Sequence, residues 1–109
     1  MHKIDIKPLS VNQAWKGKRY KTDKYLAYEA ALMFILPKIE IPEPPYKVEL
    51  KYGFSNKNSD IDNPCKNFID VLQKKYGFND RDIYKLIQTK EIVPKGKEYI
   101  KFNIETWKN

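Results

Sequence analysis

The chain has one cysteine, Cys65, and one histidine, His2. A lone thiol excludes an internal disulfide, and one thiol with one imidazole cannot supply the ligands of a Cys/His zinc site. Any metal would have to be held by oxygen. No apolar run approaches the ~20 residues needed to cross a bilayer, and the start lacks the hydrophobic stretch of a secretory signal. These absences predict a soluble, intracellular protein with no membrane partner. Neither an internal repeat nor a low-complexity tail is present.

Charge is abundant and lopsided. Lysine and arginine number 21 against 14 aspartate and glutamate, a net charge of +7. That excess suits a polyanionic partner such as nucleic acid. Scattered, solvated lysines would give the same total, so position has to decide. With 109 residues, 41% of them hydrophobic, there is material for one core and one domain spanning residues 1–109. So short a chain buries a modest fraction of its surface and gains from self-association.

Hydrophobic periodicity divides the chain into elements. Ile4 and Ile6 alternate with charged residues before Pro8, predicting a short first strand. The stretch from Leu9 to Thr22 has no consistent period and carries Lys16, Lys18, Arg19 and Lys21, which predicts a basic loop. Thr22 fits a helix cap, and the Ala-, Leu- and Tyr-rich segment after it runs to Leu36, where Pro37 ends it. The prolines between Lys38 and Pro45 predict a stiff connector. Tyr46, Val48, Leu50, Tyr52 and Phe54 then alternate with polar residues or glycine, predicting a strand with one buried face. A second helix is predicted over Pro64–Tyr76, capped by Asn63 and ended by Gly77, with Lys66, Asp70, Gln73 and Lys74 on its polar side. Strand-favouring runs from Ile83 to Val93 and from Tyr99 to Trp107, joined by a turn, predict a terminal hairpin. The order β-α-β-α-β-β describes an α+β fold, a mixed sheet with two main helices packed on it.

Asp60 and Asp62 stand two residues apart, so in an extended segment their carboxylates share a side while Ile61 faces the core. The helix beginning at Pro64 directs free N–H groups and the positive end of its dipole at the same region. Lys66 lies in its first turn, within salt-bridge reach of Asp70, and a short loop beyond the helix brings Asp80. Carboxylates without imidazole or thiolate form a hard oxygen site, suited to Mg²⁺ or Mn²⁺. Such an ion activates water and polarises a phosphodiester, and Lys66 would steady the charge gathering on the phosphate. Each piece also has a plainer reading. D-x-D-N before a helix is often only a turn and cap, Asp70 often only the partner of Lys66, and Trp15 among the lysines either a stacking surface for bases or an anchor for its loop.

Taken together, PLSVNQAWKGKRYKT, D-I-D-N-P-C-K at Asp60–Lys66, F-I-D-V-L at Phe68–Leu72 and G-F-N-D-R-D-I at Gly77–Ile83 resemble the RusA family of Holliday junction resolvases in order and spacing. The resemblance covers roughly Ile4 to Ile83. It implies a cytoplasmic, Mg²⁺- or Mn²⁺-dependent homodimer, of bacterial or phage origin, that nicks two strands of a four-way DNA junction symmetrically. It further implies Asp60, Asp62 and Asp80 as metal-binding carboxylates, Lys66 as catalytic lysine, Asn63 and Asp70 in support, and Lys16, Lys18, Arg19 and Lys21 on DNA phosphates. One departure is that Asn79 and Asp80 stand where the family usually has two aspartates. Rival readings are a less selective branched-DNA nuclease, a junction-binding protein with a lapsed active site, and a structural protein whose basic surface meets an acidic partner.

Overall fold

The alternation from Tyr46 to Phe54 decides the architecture. Tyr46, Val48, Leu50, Tyr52 and Phe54 are all buried, and this strand takes the interior of the sheet. In the computed structural model, which describes residues 1–17 and 20–109, the elements run β1 (His2–Ile4), a one-turn helix α1 (Val11–Ala14), β2 (Trp15–Lys16), β3 (Tyr20–Lys21), α2 (Asp23–Ile35), β4 (Tyr46–Phe54), α3 (Cys65–Tyr76), a 3₁₀ turn (Asp80–Asp82), β5 (Ile83–Ile92) and β6 (Tyr99–Thr106). The class is α+β. The four-stranded mixed sheet has the order β1-β6-β4-β5, and β2 and β3 form a separate two-residue ladder. No helix among the described residues is long and apolar enough to cross a membrane.

The expected terminal hairpin is not formed. β4 lies between β5 and β6, pairing parallel with the first and antiparallel with the second. The cause is burial. β6 is apolar on one face, with Ile100, Phe102 and Ile104 buried, whereas none of β5 is fully buried, so β5 is left to the edge. A parallel neighbour needs a crossover, and α3 provides it. Residues 93–98 then pass over the end of β4, where the Val93 N–H donates to the Phe54 carbonyl at 2.8 Å. The first strand, shorter than expected, finds its partner in β6.

Local signals hold where they are strong. Thr22 Oγ1 accepts the Tyr25 N–H at 3.2 Å and so caps α2, which ends before Pro37. Gly77 adopts φ 76°, a left-handed cap that glycine takes without penalty, and its N–H donates to the Gln73 carbonyl at 2.8 Å. The basic loop is less irregular than its composition suggests, since α1 and the β2–β3 ladder both lie in it. Buried Tyr28, Leu32 and Leu36 join Phe68, Ile69, Val71 and Leu72 of α3 and the inward residues of β4 and β6 in one core. Both helices thus cover one face of the sheet. The other face is half-exposed and carries ion pairs such as Lys47–Glu105 at 3.0 Å.

Gly53 lies opposite Tyr99 on β6. A Cβ at this position would overlap the Tyr99 ring, which is itself buried. Gly53→Ala should therefore destabilise the fold by about 1–3 kcal/mol through overpacking, read as a lower urea midpoint with unchanged slope. Gly53→Ala combined with Tyr99→Ala should lose less than the sum of the two single changes.

Candidate metal and nucleic-acid site

The segment leading into α3 is not extended. Residues 61–64 form a turn in which the Asn63 N–H donates to the Asp60 carbonyl at 3.3 Å and the Cys65 N–H to the Asp62 carbonyl at 3.4 Å. This geometry removes the alternation that would have put the two carboxylates on one side. Asp60 lines a cavity of about 310 Å³ with Lys7, Ser10, Ser59 and Glu98. Asp62 lines a different cleft, of about 550 Å³. Ile61, expected to face the core, is 37% exposed. Asn63 does not cap α3 either: its Nδ2 turns to Asp60 Oδ2 at 3.5 Å, and Pro64 takes the cap position without a side-chain bond.

Around the larger cleft the structure gathers Asp62, Lys66, Asp70 and Asp80, drawn from the turn, from α3 and from the 3₁₀ turn beyond it. Lys66 and Asp70 form the expected i, i+4 pair at 3.4 Å, on the polar face of α3. Asn79 Oδ1 accepts the Arg81 N–H at 3.0 Å and so caps the 3₁₀ turn that presents Asp80. Asparagine does this as well as aspartate would. Three carboxylates against one ammonium leave the cleft negative on a chain whose net charge is +7.

The cleft collects these carboxylates without packing them into one ligand group. Among the described residues, no three acidic, cysteine or histidine side chains lie close enough to hold one ion. α3 must run the length of the crossover, roughly 18 Å for its twelve residues, with Asp62 before its first turn and Asp80 beyond its last. Asp70 lies between them.

The opposite wall of the cleft was not foreseen from sequence. Tyr84, Leu86 and Gln88 of β5 form it, and Tyr84 is 68% exposed. Their period-two spacing puts them on one face of the strand, but which element that face meets depends on the pairing of β5 with β4. Gln88 is anchored from within by the hydroxyl of buried Tyr52, which donates to its Oε1 at 2.7 Å. Cys65 also lines the cleft. Burial pushes its thiol up and the charges of Asp62 and Asp70 add to this, while the neighbouring Tyr52 hydroxyl acts against it. A thiol so held stays protonated at neutral pH and is a poor nucleophile.

Lys66 and Asp70 border a further groove, of about 590 Å³, with Val11, Asn12, Trp15 and Gly17. Trp15 lines it while packing on Tyr25 at 5.7 Å between ring centroids, so one indole both anchors its segment and faces the groove. Burial, with the charges of Asp70 and Glu29, pushes the Tyr25 phenol up to about 12. Of the basic residues, Lys16 is exposed. Lys21 is engaged within the chain, 3.3 Å from Glu29 and 5.1 Å from the Tyr25 ring centre. Lys18 and Arg19 lie outside the described residues.

No protein-family model matches the chain, and no curated protein matches it.

Glu29 holds the basic segment onto α3, pairing with Lys74 at 3.1 Å as well as with Lys21. Burial raises its carboxyl, but hydrogen bonds from Lys74 and Lys21 and their charges outweigh this and hold it below its ordinary value. A carboxylate lowered by folding stabilises the native state above its unfolded pKa, and the contribution is lost as pH falls through the folded value. Glu29→Gln should cost about 1 kcal/mol at pH 7, and the difference from the unmodified chain should vanish on acidification below the ordinary carboxylate range. Urea midpoints measured between pH 7 and pH 3 check both statements.

Proposed function

We propose that the chain is a metal-dependent, structure-selective DNA endonuclease that resolves four-way junctions by paired nicks, acting as a homodimer. The observation that carries this reading is the cleft that collects Asp62, Lys66, Asp70 and Asp80 from three stretches of a strongly basic chain. Carboxylates facing a polyanion are a liability unless a divalent cation lies between them. The RusA-like order of D-x-D-N-x-x-K and the later aspartate points the same way.

The donor chemistry fits Mg²⁺ or Mn²⁺. Mg²⁺ is commonly held by one or two carboxylates, with water and substrate phosphate completing its shell, so a three-carboxylate cage is not required. Asp62 and Asp80 would hold it, since Asp70 is committed to Lys66. The bound ion would supply an activated water and charge neutralisation at the phosphate. Lys66, steadied by Asp70, offers its ammonium to the extra negative charge that gathers on the phosphoryl oxygens as water attacks phosphorus. The exposed Tyr84 gives the cleft an aromatic rim on which an unpaired base would stack. Lys16, with Lys18 and Arg19, would contact phosphates flanking the scissile bond. A two-fold dimer would present two such sites to a two-fold substrate.

A second reading, a junction-binding protein that does not cut, draws support from the lack of a preformed three-ligand group among the described residues. Cleavage of a synthetic four-way junction beside a linear duplex, with Mg²⁺, Mn²⁺ or chelator, separates the two. The nuclease reading expects symmetric nicks in the junction that require metal, with 5′-phosphate ends. Asp62→Asn and Asp80→Asn should each lower the rate by about 100-fold or more while junction affinity stays equal or rises. Asp60→Asn should lose less, because its carboxylate lines the other cavity. An equal loss would mean that the 61–64 turn rearranges when the ion binds. Tight, metal-independent junction binding without nicks would favour the binding protein instead.

A further inference from the structure

Gln73 occupies the polar face of α3, seven residues beyond Lys66, and its amide makes contacts on both sides. Its Oε1 accepts the backbone N–H of Asp80 at 2.9 Å. Its Nε2 donates to Asp70 Oδ1 at 3.4 Å and to the Ile69 carbonyl at 3.5 Å. The orientation of this amide is determined by its partners. Flipped, it would set an NH₂ against the Asp80 N–H and a carbonyl oxygen against the Asp70 carboxylate, donor to donor and acceptor to acceptor.

Lys66, Asp70, Gln73 and the Asp80 backbone are thereby linked in one chain of alternating donors and acceptors, Lys66 to Asp70 at 3.4 Å forming the first link. Its mechanical effect follows from the crossover. Asp80 comes four residues after the end of α3, where the left-handed Gly77 turns the chain toward β5. Gln73 draws the Asp80 backbone alongside the helix, one turn short of its end, toward the level of Asp70.

We propose that Gln73 is a positioning residue for the cleft, setting how far Asp80 lies from Asp70 and Lys66 and thereby the affinity of the cleft for a divalent cation. The proposal rests on the nuclease reading of the same site. It gives Gln73 no contact with substrate.

Two variants divide the amide's roles. Gln73→Met keeps length and helix propensity but makes neither bond. Gln73→Glu keeps an acceptor for the Asp80 N–H and loses the donor to Asp70. Mn²⁺ affinity of the DNA-free protein, by calorimetry, should fall about tenfold in Gln73→Met, the lower end of losses seen when groups that orient metal ligands are removed. The metal-free thermal midpoint should move little, since Gln73 is half-exposed. Amide hydrogen exchange at Asp80 should quicken in Gln73→Met and stay near the native rate in Gln73→Glu. On junction DNA, Gln73→Met should lower kcat with KM unchanged. If the native chain binds Mn²⁺ and nicks junctions while Gln73→Met keeps both the affinity and the kcat, Gln73 has no positioning role and the nuclease reading stands. A lowered thermal midpoint with unaltered Mn²⁺ affinity would reduce it to a structural residue, again without touching that reading. A native chain that neither binds Mn²⁺ nor cuts would overturn both.

Discussion

The parallel pairing of β4 with β5 is the constraint on which the rest of the molecule depends. Two parallel neighbours consecutive in sequence must be joined by a segment that returns the chain to its starting end, and α3 is that segment. Everything chemical in the cleft hangs on this crossover. Asp62 enters it, Lys66 and Asp70 ride on it, Asp80 leaves it, and Tyr84, Leu86 and Gln88 come from the strand it delivers. The arrangement produces a cleft between helix and edge strand. It also places the first and last of the cleft's carboxylates on either side of α3 in the chain, so that tertiary contacts have to bring them together. Gln73 makes one such contact, accepting the Asp80 N–H from within the helix itself.

Much of the fold was legible because its determinants are local. The Thr22 cap, the stop before Pro37, the left-handed Gly77 and the alternation of β4 each depend on a few adjacent residues whose conformational preferences are steep. The pairing of β5 was not legible, because no local feature of Ile83–Ile92 says which strand it will lie beside. Its alternation fits a hairpin with β6 equally well. What excludes the hairpin is global: β4 has a wholly buried face and claims the interior of the sheet, which leaves β5 for the far edge. The structure within the basic loop is hidden from the sequence for a related reason. α1 and the β2–β3 ladder are each too short to leave a period in the sequence, and they are held by contacts outside themselves, such as the Val11 N–H donating to the Asn63 carbonyl at 3.1 Å and the Thr22 N–H to the Ala14 carbonyl at 2.8 Å.

The acidic motif shows where spacing helps and where it misleads. The separation of Lys66 and Asp70 is enough to pair them, since a helix fixes the relation between i and i+4. The separation of Asp60 and Asp62 is not, since a spacing of two means one thing in a strand and another in a turn. D-I-D-N-P contains the residues that make turns, and Pro64 has no N–H to extend a ladder. The turn wins, Ile61 goes to the surface, and the two aspartates serve different cavities.

Charge completes the picture. A net +7 suggests a surface covered in free cations, yet several lysines are occupied within the chain: Lys21 and Lys74 by Glu29, Lys47 by Glu105, Lys51 by Glu91, Lys66 by Asp70. Lys90 is engaged as well, donating to the backbone carbonyls of Lys57 and Ser59 and so tying the loop before Asp60 to the edge strand. These cations therefore do structural tasks first. Lys66 is the exception in kind, because its one partner, Asp70, is itself held by Gln73 and lies in the cleft. A phosphate entering there would meet an ammonium already oriented, and exchanging part of one ion pair for another costs little where both side chains are partly solvated. The same lysine on a bare surface would have to be ordered at the moment of binding. Preorganisation by Asp70 and Gln73, rather than the number of basic residues, is what would distinguish this cleft from the rest of a positively charged protein.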